Sequence, residues 1–522
     1  MNKQKLLKTG IWQLLNTAVI ILSQIVANAI IVRYVSPEEY GIMAIANAFI
    51  NFAFIISESG MGDALMQRRE IEPQHKNAAL FFSILVSLVL YIILYLTAPW
   101  ISSFCNNPLI KGEPVLVPAL RVLGLSFLFL SLGSSSLNLM MKNFNFKQLF
   151  FSDSLSLLVS NVLGVIMAMY GWGIWSLVYS ILFYNVARLI MVWIYEPIPI
   201  FIGASLRHWK DLFNYGVGLT LVRFYNYISG FGIMLQIGKL VNLGSTGSFE
   251  RSYRITNLPV RYIGDMIQKV MMPFMVNIND DEDKLYAFFL RGMSFANALL
   301  LPISVFAIVF CQPIVLLLFG SKWENAVLPM QILFASLPFR ITTKVSDVLM
   351  RVKNLVFKNA NRKLQYIIVL VTGIFLGSYW GITGISIAVS LASVFNYIFM
   401  LITVKRFVFQ KGWKKLIIKP FKDGAIISLI SVPPSYLIYK LLLQFVDSQL
   451  IAFAILCTLL AIFFTFSFFK KPAILGKDFV QLRTELIKLV KNKGNKGGGK
   501  RRRMKMEMET EQLKNDTEQI TS

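Results

Sequence analysis

The segment GKLVNLGSTG, residues 238–247, repeats features of an earlier segment, VRYVSPEEYG, residues 32–41. Aligned without gaps, Arg33 falls on Lys239 and Gly41 falls on Gly247, and each segment lies between two long apolar stretches. Internal repeats of this kind are typical of transporters built from two similar lobes. The repeat therefore predicts two lobes of about six helices each around a central cavity, with two further helices appended at the C-terminal end.

Apolar stretches long enough for a helix to cross a bilayer recur along the whole chain. The 522 residues are 56% hydrophobic and 15% charged, and the mean hydropathy is +0.61. We therefore predict an all-α polytopic membrane protein with about fourteen transmembrane helices. The first apolar stretch is too long for the core of a signal peptide, so we expect it to be retained. The predicted spans are 11–32, 40–57, 77–100, 117–139, 153–170, 173–194, 212–236, 246–275, 294–318, 329–351, 363–379, 381–404, 424–446 and 449–469.

These spans divide the chain into four predicted parts. Residues 1–205 form an N-terminal lobe with spans one to six, and residues 206–405 form a C-terminal lobe with spans seven to twelve. Residues 406–470 carry the last two spans. Residues 471–522 are a polar tail with a basic cluster, predicted to be disordered and to contact anionic lipid on the cytoplasmic side.

The net charge of +25 is distributed as in a membrane protein rather than in a nucleic-acid-binding protein. Basic residues collect in alternate connections, and the intervening connections hold little more than Arg33, Lys111, Lys239 and Lys322. By the positive-inside rule this pattern predicts both termini in the cytoplasm and a location in the cytoplasmic (inner or plasma) membrane, with no nucleic-acid partner.

Cysteine and histidine are too sparse and scattered for metal or cofactor chemistry. Cys105, Cys311 and Cys457 lie far apart, and His75 and His208 fall in predicted cytoplasmic connections. No catalytic triad, metal cluster or nucleotide-binding loop can be recognised. We therefore expect no metal, no cofactor and no enzymatic activity.

The segment SFERSYRITNLPVRYIGDMIQK, residues 248–269, is a charged helix in an otherwise apolar chain. Helical periodicity places Glu250, Arg254, Arg261, Asp265 and Lys269 on one face. Five charges facing lipid would cost roughly 12–18 kcal/mol, so the face must meet water or protein. An amphipathic helix lying on the membrane surface is the alternative reading, but the repeat favours a helix that spans the membrane and lines a cavity.

A second charged stripe occurs in LPFRITTKVSDVLMRVK, residues 337–353. Arg340, Lys344, Asp347 and Arg351 follow at spacings that place them on one helical face. Arg351 by itself could reach the membrane surface from a helix end, whereas Arg340 lies well inside the span. This stripe supports the cavity interpretation.

A charged residue inside a predicted transmembrane span has either a functional or a structural role. Arg223 lies near the middle of predicted span seven, which points to function. A structural ion pair with Asp265 or Asp347 is the competing interpretation. Glu58, Glu250, Asp265 and Asp347 are candidates for coupling a proton or sodium ion, although a carboxylate beside an arginine is more often a counter-ion.

The first lobe carries mainly neutral polar stripes. Gln24 and Asn28 lie along one face of span one, and Asn47 and Asn51 lie along one face of span two. Such residues either line a cavity or connect helices by hydrogen bonds. Together with the charged stripes they predict a hydrophilic, cationic cavity for an anionic cargo, and arginine is well suited to phosphate. The predicted cationic residues are Arg223, Arg254, Arg261, Lys269, Arg340, Lys344 and Arg351.

An ordered set of short segments resembles the polysaccharide transport family of lipid-linked oligosaccharide flippases, in the multidrug/oligosaccharidyl-lipid/polysaccharide flippase superfamily. The segments are VRYVSPEEYG, LMMKNFNFKQL, YGWGIWSLV, IGKLVNLGSTG, LPVRYIGDMIQKVMMPFM and FGSKWENAVLPMQILFASLP, within residues 1–405. The resemblance implies that a polyprenyl-diphosphate-linked glycan moves from the cytoplasmic to the outer leaflet by alternating access. It also implies a part in O-antigen, capsule or exopolysaccharide assembly, with a polysaccharide polymerase or export machinery as further partners.

Two other functions remain open at this point. A cation-coupled multidrug exporter of the same superfamily is the first, but a cationic cavity would repel the cationic drugs that such exporters prefer. A membrane-embedded glycan polymerase is the second, but its catalytic groups usually need a sizeable loop or soluble domain, whereas most connections here are short. A purely structural scaffold gives no reason for charge inside the spans.

Overall fold

The computed structural model describes residues 3–57, 73–105, 109–110, 113–143, 145–197, 236–353, 355–409, 413–446 and 448–470. Within those residues the protein is almost entirely α-helical, and its strands are a short antiparallel pair, β1 (Leu109–Ile110) and β2 (Glu113–Pro114). The helices are α1 (Lys3–Tyr34), α2 (Pro37–Ser57), α3 (Pro73–Phe104), α4 (Leu116–Lys142), α5 (Phe146–Met169), α6 (Ile174–Tyr195), α7 (Leu243–Asn277), α8 (Glu282–Val309), α9 (Cys311–Leu318), α10 (Val327–Ala335), α11 (Leu337–Val352), α12 (Val356–Gly377), α13 (Gly381–Phe407), α14 (Trp413–Phe445) and α15 (Gln449–Lys470).

The predicted spans lie on these helices, except that residues 212–235 of the seventh span lie outside the described part. The charged segment predicted at 246–275 is α7, which continues through Pro259 without a break. Two predicted spans are interrupted: 294–318 breaks at Phe310, between α8 and α9, and 329–351 breaks at Ser336, between α10 and α11. α5 begins at Phe146, earlier than predicted.

The helices have the length and surface of membrane spans. Seven segments of the described chain are long and apolar enough to cross a bilayer, or up to eight if the pair Ser321–Ala335 and Leu337–Val352 counts as one broken span. Large apolar side chains such as Leu96 and Leu429 are more than two thirds exposed, at 70% and 73%. Such a surface is stable against lipid and unstable against water. The protein is therefore a multi-pass membrane protein.

The chain divides into two compact units. The first comprises Met1–Leu258, Phe310–Ser336 and Ala360–Asn396, and the second comprises Pro259–Val309, Leu337–Asn359 and Tyr397–Ser522. In the first unit, buried side chains of α2, α3, α4 and α6 form one core that includes Ile45, Leu120 and Val178. In the second unit, α8 packs along α14 and α11. The predicted lobe boundary at 205/206 remains a prediction.

α2 and α7 cross at a pair of glycines in the first unit. A Cβ atom at Gly41 would collide with the carbonyl oxygen of Leu243, and one at Gly247 would collide with the carbonyl oxygen of Pro37. In the register that places Gly41 on Gly247, Pro37 falls on Leu243, so the two contacts are equivalent. This reciprocal packing agrees with the predicted repeat.

The two crossing helices also begin in a similar way. The hydroxyl of Ser36 accepts the backbone N–H of Glu39 at 3.3 Å, and the Glu39 carboxylate accepts the backbone N–H of Ser36 at 2.8 Å, which is a capping box at the start of α2. At the equivalent position before α7, the side chain of Asn242 accepts the backbone N–H of Ser245 at 2.8 Å. These caps fix both helix starts where the helices cross.

Candidate functional site

Arg251 is the buried cation at the centre of the candidate site in the first unit. It is 5% exposed, and its Nε donates to Oε2 of Glu250 at 2.6 Å. One of its terminal nitrogens, Nη1, donates to Oδ1 of Asn28 on α1 at 3.1 Å, and its Cζ lies 4.1 Å from the ring centroid of Tyr40 on α2. The guanidinium therefore has a counter-charge, an amide and an aromatic face, which together offset the cost of removing it from water.

Arg254 lies one turn further along α7 and is accessible. Its side chain is 48% exposed, and its Nη1 lies 3.8 Å from Oε1 of Glu250. Arg254 and Arg251 line a pocket together with Gln24 and Asn28 of α1. The described lining of this pocket thus carries two guanidinium groups and two neutral amides, and Glu250 pairs with both arginines from outside that lining. Its apolar lining residues are Ile25, Ala29, Ile255, Leu258, Leu318 and Phe319.

Glu250 has the geometry of a counter-ion. Its two carboxylate oxygens face different arginines, at 2.6 Å for Arg251 and 3.8 Å for Arg254. A coupling carboxylate would have to exchange its partner for a proton or a sodium ion, whereas this one is held by a neighbour that is almost fully buried. The arrangement favours the structural alternative for Glu250.

The charged stripes of α7 and α11 meet in the second unit. The Nη2 atom of Arg351 donates to Oε1 of Gln268 at 2.7 Å. A Cβ atom at Gly264 would lie 3.2 Å from Cδ1 of Ile341 and 3.4 Å from Cγ of Lys344, so the two helices approach closely at this glycine. The part of the α7 stripe that follows Pro259 therefore lies beside the α11 stripe in this unit.

α11 separates its faces sharply. Ile341, Val345 and Val348 are fully buried, whereas Arg340, Lys344 and Asp347 are half-buried and Arg351 is exposed. On α7, Arg261 is exposed and its Cζ lies 5.7 Å from the ring centroid of Tyr262. This amphipathic division is the one that the periodicity of both segments predicts.

Four predicted residues lie wholly or partly outside the described part of the structure. Arg223 and Glu58 lie outside the described residues. Asp265 and Lys269 lie within α7, but their side chains are outside the described part. The predicted ion pairs of Arg223 with Asp265 or Asp347 therefore remain predictions.

The structure brings together part of the polar lining that was predicted for the first lobe. Gln24 and Asn28 line the pocket at Arg254, and the Nδ2 of Asn28 also donates to the backbone carbonyl of Gln24 at 2.6 Å. On α2, Asn47 is half-buried and Asn51 is exposed, and the Nδ2 of Asn51 donates to the carbonyl of Asn47 at 2.7 Å. These two asparagines do not line that pocket.

Sequence reasoning missed Arg251 as a site residue. About five helical turns separate Arg251 from Lys269, so both lie at the same edge of the α7 stripe. The periodicity could therefore have included Arg251. That it is buried against α1 and α2 depends on long-range packing, for which a single helix gives no signal.

A buried ion pair in α5 and α6 was also missed. Asp153 is 5% exposed, its Oδ1 accepts Nε of Arg188 at 2.8 Å, and its Oδ2 accepts Nδ2 of Asn16 at 2.9 Å. The predicted span begins at Asp153, whereas α5 begins about two turns earlier, at Phe146. The signal available was Arg188, which lies inside predicted span six and needs a partner there.

No metal centre occurs in the part of the chain that the structure describes. Within it, no group of three or more His, Cys, Asp or Glu side chains could hold a metal ion. The cysteines Cys105, Cys311 and Cys457 are free thiols.

The chain is similar to a known protein family and to several known proteins. A family model described as "Polysaccharide biosynthesis protein" matches residues 30–328. The lipopolysaccharide biosynthesis protein WzxC of Escherichia coli (strain K12) is 23% identical over 63% of this chain and 66% of its own length. The succinoglycan biosynthesis transport protein ExoT of Rhizobium meliloti (strain 1021) is 23% identical over 57% of this chain and 59% of its own length. The chain thus spans less than two thirds of the length of both relatives.

Solved structures share the fold at low sequence identity. "Lipid II flippase MurJ, inward closed conformation" superposes with a TM-score of 0.66 at 16% identity, over 88% of this chain and 99% of that one. An inward-facing multidrug resistance MATE family transporter of the MOP superfamily superposes with a TM-score of 0.59 at 14% identity, over 74% and 94%. These likenesses confirm the predicted fold class of an all-helical, polytopic membrane protein.

Proposed function

Because the chain belongs to the polysaccharide biosynthesis protein family, we propose that it is a flippase for an anionic, polyprenyl-(di)phosphate-linked oligosaccharide. It carries this lipid-linked glycan from the cytoplasmic to the outer leaflet for the assembly of a cell-surface polysaccharide. WzxC and ExoT are named for lipopolysaccharide biosynthesis and for succinoglycan biosynthesis transport, and MurJ is named as a lipid II flippase. These names, which concern polysaccharide biosynthesis and the flipping of a lipid, support a lipid-linked glycan as the cargo.

The observation that carries the proposal is the arrangement of Glu250, Arg251 and Arg254. Glu250 lies within ion-pair distance of both the buried Arg251 and the accessible Arg254, so two guanidinium groups share one carboxylate and the three side chains carry a net positive charge. A diphosphate bears at least two negative charges that the bilayer opposes strongly. Guanidinium groups bind phosphate oxygens through paired, charge-assisted hydrogen bonds, which lowers that barrier.

The wider cationic surface of α7 and α11 serves the same purpose in this proposal. Arg261, Arg340, Lys344 and Arg351 provide further positive charge along the path, and Arg223 and Lys269 belong to the same set. The glycan occupies the water-filled cavity, and the polyprenyl chain stays in the lipid bilayer. Inward- and outward-open states interchange by movement of the two lobes, as in other repeat-built transporters.

The remaining parts of the proposal concern location and energy. The protein lies in the cytoplasmic membrane with both termini in the cytoplasm, as the alternation of basic connections supports. A proton or sodium gradient is the candidate energy source, with Glu58, Asp265 and Asp347 as candidate coupling groups. The protein hands its cargo to a polysaccharide polymerase or export machinery and performs no chemical step itself.

The alternative is a cation-coupled multidrug exporter of the MOP superfamily, which the fold also accommodates. The excess positive charge at Arg254 and along α11 disfavours cationic drugs and favours an anionic cargo. A membrane glycan polymerase is a weaker alternative, because the described residues place no paired catalytic carboxylates in the candidate pocket.

The test is leaflet-resolved transport of a polyprenyl-diphosphate oligosaccharide in proteoliposomes. The wild type should move the lipid, and Arg254→Gln, Arg261→Gln and Arg340→Gln should each slow transport at least several-fold while the protein stays folded. Lys284→Gln is the matched control, because Lys284 is an exposed cation at the start of α8, paired with Asp281 at 2.7 Å. Equal transport by all variants would reject the cationic site, and no transport by a folded wild type would reject the flippase function.

A further inference from the structure

A second, much larger cavity lies in the first unit and shares no lining residue with the pocket at Arg254. Its volume is about 820 Å³, within the range of sites that bind whole small molecules. Four connections, together with the helix ends that adjoin them, surround it: the α1–α2 connection with the first turn of α2, the α3–α4 connection, the segment leading into α7 with the first turns of α7, and the turn before α10. Its main polar side chains are Glu38, Lys239, Asn242, Ser245, Lys322 and Asn325.

All four connections belong to the set that the charge pattern places outside the cytoplasm. They carry few basic residues, whereas the alternate connections carry many. The structure brings them together around one opening, which agrees with a common side of the membrane. The cavity therefore lies at the outer face, where a flipped glycan would leave the protein.

The lining has the chemistry of a sugar site with an excess of positive charge. Amide and hydroxyl groups of Asn242, Ser245 and Asn325 can both donate to and accept from sugar hydroxyls. The lining contains two ammonium groups, those of Lys239 and Lys322, and one carboxylate, that of Glu38. The Nζ of Lys239 lies 4.2 Å from the ring centroid of Phe104, a contact that holds this ammonium at the cavity wall.

The single carboxylate of this lining lies beside a helix terminus. A Cβ atom at Gly244, in the first turn of α7, would lie 2.8 Å from Oε1 of Glu38. The positive end of the helix dipole stabilises a negative charge at such a position. Glu38 is thereby partly compensated from within the protein, so the two lysines leave the cavity attractive to an anion.

We propose that this cavity is a second glycan-binding site, at the outer mouth of the protein, which prefers sugars bearing a carboxylate, such as uronic acids. The proposal rests on the proposed flippase function and specifies its substrate class: an acidic oligosaccharide. Hydroxyl groups of the glycan contact the amides and Ser245, and a sugar carboxylate contacts Lys239 and Lys322. The site retains the glycan at the outer face after the lipid head has crossed.

The test compares two probes with the same sugar chain, one with free carboxylates and one with neutral methyl esters. Tetragalacturonate and its methyl ester are titrated by calorimetry against the full-length protein in lipid nanodiscs. The wild type should bind the free acid about three- to tenfold more tightly than the ester at low salt, and added salt should reduce this preference. Equal binding of the acid and the ester by the wild type would overturn the proposal.

Three variants assign the preference to the cavity. The double variant Lys239→Gln/Lys322→Gln should lose the preference for the acid, and Glu38→Gln should increase it, a gain that misfolding could not produce. Arg33→Gln is the matched control, because Arg33 occupies the position equivalent to Lys239 in the repeat, donates to the carbonyl of Leu317 at 3.3 Å and does not line the cavity. A preference that survives in the double variant would overturn the assignment.

Transport and binding measured on the same protein preparations distinguish a failure of this inference from a failure of the proposed flippase function. If the wild type flips lipid-linked glycans but binds the acid and the ester equally, the outer site is rejected and the flippase function stands. If it flips no lipid-linked glycan while the lysine-dependent preference persists, the flippase function is rejected and the acidic-glycan site stands.

Discussion

Gly41 of α2 and Gly247 of α7 lie against each other where the two helices cross: a Cβ atom at Gly247 would lie 3.0 Å from the backbone nitrogen of Gly41. Each glycine also faces a backbone carbonyl of the other helix. This close crossing places the first turns of α7 beside α1 and α2. Arg251 can therefore reach Asn28 and the ring of Tyr40.

Alanine at either crossing glycine should destabilise the protein. The added methyl group would meet rigid backbone rather than a mobile side chain, and overpacking of this kind costs about 1–3 kcal/mol. Thermal unfolding of purified Gly41→Ala and Gly247→Ala should show lower Tm values than the wild type. Gly133→Ala is the matched control, since its Cβ would lie 3.5 Å from Cδ1 of Leu189, an ordinary contact distance. Equal Tm values for all three variants would contradict the close crossing.

Neutralising Glu250 should destabilise the protein more than neutralising both members of its pair. Glu250→Gln leaves the nearly buried guanidinium of Arg251 without its counter-charge, a change that typically costs about 3–5 kcal/mol. In the double variant Glu250→Gln/Arg251→Met the uncompensated charge is absent, so much of the stability should return. Denaturant unfolding of the single and double variants measures the coupling. Strict additivity would show that the two side chains do not interact.

Breaking the Asp153–Arg188 ion pair should destabilise the protein more than removing the hydrogen bond from Asn16 to Asp153. Arg188→Met leaves a buried carboxylate with only the amide of Asn16, whereas Asn16→Ala removes one hydrogen bond and keeps the ion pair. We expect Arg188→Met to cost several kcal/mol and Asn16→Ala to cost about 1.5–3 kcal/mol. The comparison uses the midpoints of unfolding of the two variants, measured in the same detergent. The reverse order would mean that the pair contributes less than the amide.

Transport should depend on the shape of the cation at Arg254 as well as on its charge. Arg254→Lys keeps the charge but loses the planar fork that binds phosphate in a bidentate way, so it should retain part of the activity. Arg254→Gln should retain less, and both variants should unfold near the wild-type temperature because the side chain is 48% exposed. Initial rates in proteoliposomes, with Lys284→Gln as the control, check this order. Full activity of Arg254→Gln would exclude a cargo contact at this position.

Transport should also depend on Arg351, although its loss should hardly affect folding. Its hydrogen bond to Gln268 is exposed, and such contacts contribute less than about 1 kcal/mol. Arg351→Gln should therefore keep the wild-type Tm and slow the transport of a diphosphate-linked glycan. A large loss of Tm would instead identify Arg351 as a structural link between α7 and α11.

Much of the site was predictable because its signals are local. The periodicity of residues 337–353 predicted that Arg340, Lys344 and Asp347 share a face, and the structure buries Ile341, Val345 and Val348 on the opposite one. The breaks at Phe310 and Ser336 were not predicted, since apolar residues continue through both and hydropathy alone does not mark a broken helix.

The sequence by itself determined that this protein is a polytopic helical membrane protein, where its charged helices lie, and that segments 32–41 and 238–247 correspond. These features follow from hydropathy and from a helical period of about 3.6 residues, which depend only on near neighbours in the chain. The tertiary structure decided that Arg251 is buried and neutralised while Arg254 is exposed, and that Asp153 pairs with Arg188. It also gathered four distant connections around Lys239 and Lys322. Whether a cation is paired or accessible depends on which helices pack beside it, and that packing is set by contacts between residues far apart in the sequence.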